Sequence, residues 1–163
     1  MDIAERVSAL EARLQAAEDR LAIQDLLNSY GPLVDSGESE AAAALWTDGG
    51  GYSFSGGMSG GTRLTAPDQL VAMYESEGHK GLVSTGVSHF TGPPRITLDG
   101  DRAAAIAYSF VILKEGERWF VWRAAINEWR LARTPEGWRI EERINRTLDG
   151  SAESHALMRR VLA

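Results

Sequence analysis

The apolar residues of this chain change period once, and that change limits the folds open to it. In the helical segments before Leu82 they recur at spacings of three and four, and from Leu82 onward they alternate at two. Helices first and strands after describe an α+β design, with the helices packed on one face of a sheet. Segments 82–90, 94–98, 102–114, 118–133 and 137–147 have the composition of strands, rich in aromatics, Val, Ile and Thr. They are joined by turn chemistry at Gly92-Pro93-Pro94, Asp99-Gly100-Asp101, Glu115-Gly116-Glu117 and Pro135-Glu136-Gly137. Joins this short make neighbours antiparallel. Strands as long as 102–114 and 118–133 twist and bulge rather than lie flat. The expectation is a cone-shaped barrel: three N-terminal helices closing a strongly curved mixed or antiparallel sheet, with a small-molecule pocket at its mouth.

The three helices are placed as follows. Asp2 to about Tyr30 reads as one long helix, because Ile3, Val7, Leu10, Leu14, Ala17 and Leu21 form an apolar stripe. The part before Leu21 exceeds what one small core needs, so it either covers the outside of the sheet or meets another subunit. Gly31-Pro32 reads as the stop. Glu38–Trp46 reads as a short second helix broken by Gly49-Gly50-Gly51, with Tyr52 and Phe54 in a short strand beyond it. Gly56, Gly57, Gly60 and Gly61 suggest a hairpin or rim loop; the Lys and Ser/Thr of a phosphate loop are missing. Pro67 begins a third helix over 68–78, and Ser151 caps a short terminal one.

With 163 residues, of which 44% are hydrophobic, the chain reads as a single domain, 1–163. It has no cysteine, which removes disulfides, thiol nucleophiles and cysteine-bearing metal sites. The net charge is -6, and acids alternate with the arginines of the more basic second half. Neither property suits nucleic acid. No apolar stretch approaches a membrane span and no secretory leader is evident, so a cytoplasmic protein is expected. No metal site and no organic cofactor are expected.

Several polar residues fall where a core or a pocket is predicted. Asp35 follows the apolar run Gly31-Pro32-Leu33-Val34; it is either a cap or a carboxylate at the pocket end. His89 continues the face of Val83, Thr85 and Val87, as a hydrogen-bonded core histidine or a general base held by a carboxylate. Either role needs an acidic neighbour, and Asp35 is the best candidate. Arg146 continues the Trp138, Ile140, Glu142 and Ile144 face of the last strand, so it either enters the cone or forms a rim ion pair. Tyr30 and Tyr108 are candidates to present a hydroxyl to the cavity, Asn127 and Trp129 to line it, with Tyr52 and Phe54 as further ligand-binding candidates. Trp46, Trp119, Trp122 and Trp138 read as core or wall. His79 reads as an exposed turn residue and His155 as a surface one.

Residues Asp19–Tyr30 followed by Val34-Asp35-Ser36-Gly37 resemble the opening of the SnoaL-like proteins, in the nuclear transport factor 2-like, cystatin-like superfamily. His89 ahead of Ile96-Thr97-Leu98-Asp99-Gly100-Asp101-Arg102-Ala103 resembles that family's central strand pair, and Gly137-Trp138-Arg139-Ile140 its last strand. The resemblance covers roughly residues 15–150. Among cofactor-free eliminating enzymes of the superfamily it is nearest to bile acid 7-alpha-dehydratase, scytalone dehydratase and hexachlorocyclohexane dehydrochlorinase. It implies an Asp–His dyad on Asp35 and His89, with Tyr30 and Arg146 beside it. The further acid of the bile acid pattern has no counterpart near Ile112. The resemblance also implies a homo-oligomer, trimer or dimer.

The expected function is therefore a dehydratase-like lyase acting on a small hydrophobic, cyclic, oxygenated molecule. The alternatives are a binding protein without turnover, an isomerase or epoxide hydrolase, and the small subunit of a ring-hydroxylating dioxygenase.

Overall fold

A computed structural model describes residues 2–55 and 61–162; most of the glycine-rich segment 56–61 lies outside the described residues. Helix α1 (Ile3–Asp35) starts at an Asp2–Glu5 capping box, each side chain accepting the other's backbone N–H at 2.8 Å. It then runs through Gly31-Pro32 to Asp35, beyond the expected stop. A proline costs an interior helix turn its hydrogen bond, but burial holds this turn: Ile23, Leu27, Tyr30, Gly31 and Val34 form its inner face. The earlier stripe stays outside, with Ile3, Leu14 and Leu21 80%, 60% and 61% exposed. Where α1 first meets the body, the buried Asp19 carboxylate accepts from Arg133 (2.8 Å), the Trp138 indole (3.1 Å) and Gln15 (3.2 Å).

Helix α2 (Ser39–Ala43) is shorter than expected, and Trp46 opens strand β1 (Trp46–Ser55) instead of ending a helix. The glycines 49–51 do not break the chain; they bend the strand. Gly49 takes φ +77, which only glycine adopts cheaply, and the register against the neighbouring strand shifts there. After β2 (Gly61–Thr65), the expected third helix is two: α3 (Asp68–Tyr74) and α4 (Glu77–Thr85). Ser76 caps α4 by accepting the His79 N–H at 3.3 Å. Leu82–Thr85 are thus helical, and β3 is only Val87–Thr91.

The remaining elements are β4 (Arg95–Asp99), β5 (Arg102–Glu115), β6 (Arg118–Thr134), β7 (Gly137–Thr147) and α5 (Ala152–Arg159). The described strands form one open mixed sheet, β2-β1-β7-β6-β5-β3, with β4 also on β5. All pairs are antiparallel except β1 with β7. Ala103, Ala105 and Ala107 of β5 give α1 room on the concave face, where Trp129, Leu131, Trp138 and Ile140 complete the core. The helices do not all share that face: α5 covers Ile106 and Ile126 on the other side through Leu157.

Two bulges decide which side chains face inward. Trp122 is an extra residue of β6 between the pairs Val111–Arg123 and Ile112–Val121. Glu141 is an extra residue of β7 between Leu131–Ile140 and Arg130–Glu142. Because side chains alternate, one extra residue exchanges the faces beyond it. Trp138 and Ile140 point inward before Glu141, and Arg143 and Asn145 point inward after it.

Candidate functional site

Helix α1 touches β3 at a residue that has no side chain. A Cβ on Gly31 would lie 2.3 Å from the carbonyl oxygen of His89. This approach sets Asp35, one turn later, against His89. One carboxylate oxygen of Asp35 meets His89 Nδ1 at 2.5 Å, and the other accepts the His89 backbone N–H at 2.8 Å. Both oxygens hold one residue, so the ring has a fixed tautomer: Nδ1 donates and Nε2 is left as the acceptor. His89 borders a cavity of about 490 Å³ between the helices and the concave sheet. Asp35 borders only a smaller outer hollow, behind the ring.

Most of the cavity wall is apolar, including Val34, Phe54, Met73, Leu82, Val111 and Leu113. Its polar floor comes from three strands. Arg143, 4% exposed, stacks 4.5 Å from the Tyr30 ring, 4.7 Å from Tyr52 and 5.3 Å from Trp129. Its Nε donates to Asn127 Oδ1 at 3.0 Å, and Asn145 Nδ2 donates to the same oxygen at 2.7 Å. Asn127 passes the chain on to Ser109 Oγ at 2.7 Å. Arg123 donates to Asn145 Oδ1 at 2.6 Å and to the Ser55 carbonyl. Burial, reinforced by the neighbouring Arg143 charge, lowers the pKa of Arg123. Burial raises the phenol of Tyr52, and that of Tyr74 well above its usual value, so both remain hydrogen-bond donors at neutral pH. The Tyr30 hydroxyl approaches both Tyr74 and Arg143. Tyr74 Oη and Arg143 Nη1 nevertheless have no partner in hydrogen-bond geometry.

His79, expected on the surface, is half-buried in the cavity wall. Its Nδ1 donates to the Tyr74 carbonyl at 3.0 Å, which leaves Nε2 as a buried acceptor without a partner. Its ring centre lies 5.8 Å from that of His89. Burial, and then the nearby His89, depress its pKa, so it stays neutral further into the acid range. The signal for this residue was Ser76, a helix cap two residues beyond the end of α3.

The other expected residues divide. Tyr30, Tyr52 and Phe54 border the cavity with His89. Asn127 and Trp129 are fully buried under its floor, where they hold Arg143 and do not form the wall. Tyr108 is on the opposite face of β5, 48% exposed, with its hydroxyl on Met158 of α5. Arg146 is likewise outside, bonded to Glu153 at 3.1 Å and Ser53 Oγ at 3.3 Å. The Glu141 bulge explains this reversal and puts Arg143 in the place expected for Arg146. Trp122, extra residue of the other bulge, is half-exposed and reaches the cavity wall, and Trp119 is on the surface. No helix among the described residues is long and apolar enough to cross a membrane.

A bent mixed sheet wrapped around an internal cavity by a long N-terminal helix is the architecture of the nuclear transport factor 2-like, cystatin-like proteins. Residues 15–144 match the SnoaL-like domain, and the chain belongs to that family. It is 37% identical to an NTF2-like protein with a cystatin-like fold from Novosphingobium aromaticivorans, with a TM-score of 0.87 over 93% of this chain and 96% of that one. Two more distant structures share the fold. One is a candidate aromatic ring hydroxylase of the same organism (22% identity, TM-score 0.66, 81% and 90% covered). The other is a candidate NTF2-like dehydratase from Streptomyces avermitilis (14%, 0.62, 82% and 98% covered). No curated protein matches the chain.

Proposed function

We propose that this protein is a cofactor-independent lyase that eliminates water from a small, hydrophobic, cyclic β-hydroxy carbonyl compound. The observation that carries the reading is the double grip of Asp35 on His89, which leaves Nε2 as the acceptor on an imidazole bordering the cavity. His89 Nε2 takes the proton next to the carbonyl, and the C–H electron pair moves into the carbonyl to give an enolate. Asp35 offsets the imidazolium charge that forms. The unpartnered Tyr74 hydroxyl, or that of Tyr52, stabilises the enolate oxygen. The enolate then expels the β-hydroxyl, which takes the proton back from His89. Water and an unsaturated carbonyl compound leave, and the enzyme returns to its starting state. His79 Nε2 accepts a hydrogen bond from a substrate hydroxyl and positions the ring.

The name of the Streptomyces relative is consistent with this chemistry. A positioned base of this kind contributes about 10²–10⁴-fold. On a panel of cyclic β-hydroxy ketones, His89→Ala and Asp35→Asn each reduce kcat/KM by that order, with wild-type circular dichroism. Full turnover by His89→Ala removes the proposed base. Binding of the panel by the wild type without any product makes the chain a binding protein.

A further inference from the structure

The cavity floor contains two guanidinium groups and no counter-charge. Arg143 is paired with an amide oxygen and three aromatic faces, and Arg123 with an amide oxygen and a backbone carbonyl. No Asp or Glu borders the cavity among the described residues, and the sequence from 56 to 60 contains none. Of the carboxylates closest to its wall, Asp35 is engaged with His89 from behind and Glu75 with Ser39 and Lys80. Arg143 Nη1 and Arg123 Nε are both buried and both lack an acceptor. Burying cations without an anion is costly, and two of them in one apolar hollow point to a charge that arrives with the ligand.

We propose that the substrate is an organic anion: a cyclic apolar body carrying a carboxylate that seats between Arg143 and Arg123, with its reacting carbon toward His89. This rests on the cavity being the working site and specifies the substrate class for it. The test is equilibrium binding of 2-naphthoate against 2-naphthamide, which match in shape and differ in charge. The wild type binds the carboxylate at least about tenfold more tightly, equivalent to about 1.4 kcal/mol. Arg143→Met and Arg123→Met each remove the preference while the amide still binds. Equal affinity of the wild type for the two probes overturns the proposal, and that measurement needs no variant. Because the assay reads binding alone, a preference that survives beside an inactive wild type separates the anion site from the elimination chemistry.

An independent observation concerns α1. Ile3, Val7, Leu10, Leu14, Ala17 and Leu21 alternate at four and three, a heptad seam, on the side of the helix opposite its core-facing residues. Arg6, Arg13 and Arg20 flank the seam on one side, and Glu11, Glu18 and Asp25 on the other. Among the described residues none of these six makes an ion pair within the chain. In a parallel, in-register pair each arginine falls five residues before an acid of the other helix. An antiparallel pair would set arginine against arginine and acid against acid.

We infer that a second copy of this chain docks along α1 as a parallel coiled coil. Sedimentation at tens of micromolar gives an oligomer for the wild type and a monomer for the double variant Glu11→Arg/Glu18→Arg. The chain has no cysteine, so Leu10→Cys and Leu21→Cys each supply a single thiol. Both cross-link between chains on oxidation, which no antiparallel register allows for both. A monomeric wild type, or cross-linking at only one of the two sites, overturns the inference.

Discussion

Asp19 shows how one residue ties sequence-distant parts together. It lies in the long helix, yet its carboxylate is the acceptor for Arg133 and Trp138 on the far strands. The Arg133 hydrogen bond, opposed by burial and helped by Trp138, lowers its pKa below 3.8. A depressed carboxylate adds stability above its unfolded value and loses it as the pH falls through its folded value. Asp19→Asn is therefore less stable by about 1–3 kcal/mol at neutral pH. In urea melts the gap to wild type narrows below pH 3.8. A gap that stays constant through that range means the charge of Asp19 is not what Arg133 needs. Asp35 and His89 were legible because an acid after a buried run and a histidine on a strand face each needed a partner. Nothing local in the sequence distinguished Arg143 from Arg146, since the difference depends on a neighbour strand's register.

At the scale of elements, the contact between α1 and β3 sets Asp35 against His89. Gly31-Pro32 carries the sequence signals of a helix stop, but the glycine serves close approach: its missing side chain admits the His89 carbonyl. Gly31→Ala must push helix from strand, because a 2.3 Å contact with backbone has no flexible group to give way. The variant loses about 1–3 kcal/mol, and its activity falls with the displaced Asp35. Wild-type activity and stability in that variant mean the helix can shift without disturbing the Asp35–His89 contact. Strand existence was readable from period and turn chemistry throughout β4 to β7. The boundary at Leu82 was not, because Leu82-Val83-Ser84-Thr85 suits a strand by composition and becomes helical through the Ser76 cap upstream.

For the molecule as a whole, an internal hollow of about 490 Å³ leaves room for a ligand that the unfolded chain cannot hold. Binding to the native state alone stabilises it by about 2.7 kcal/mol at a hundredfold excess over Kd. A cavity ligand such as 2-naphthoate accordingly raises Tm with concentration. Val111→Trp, which fills space beside His89, abolishes that rise; if the rise persists, the ligand sits elsewhere. The α+β class followed from the order of periods and the curvature of the sheet from the length of its strands, whereas the parallel pairing of β1 with β7 had no local signal. The placement of α5 on the opposite face did not, because its short apolar side fits either surface.

The extra residue at Glu141 gives the chain an evolutionary handle on curvature. Losing that single codon would let regular alternation resume after Ile140, so the residues from 142 onward would keep their β6 partners and Arg143 would still face inward. What would go is the local bend and added twist of the last strand. Relatives one amino acid shorter there would then carry the same lining on a straighter wall, and differ in the width of the hollow rather than in its chemistry.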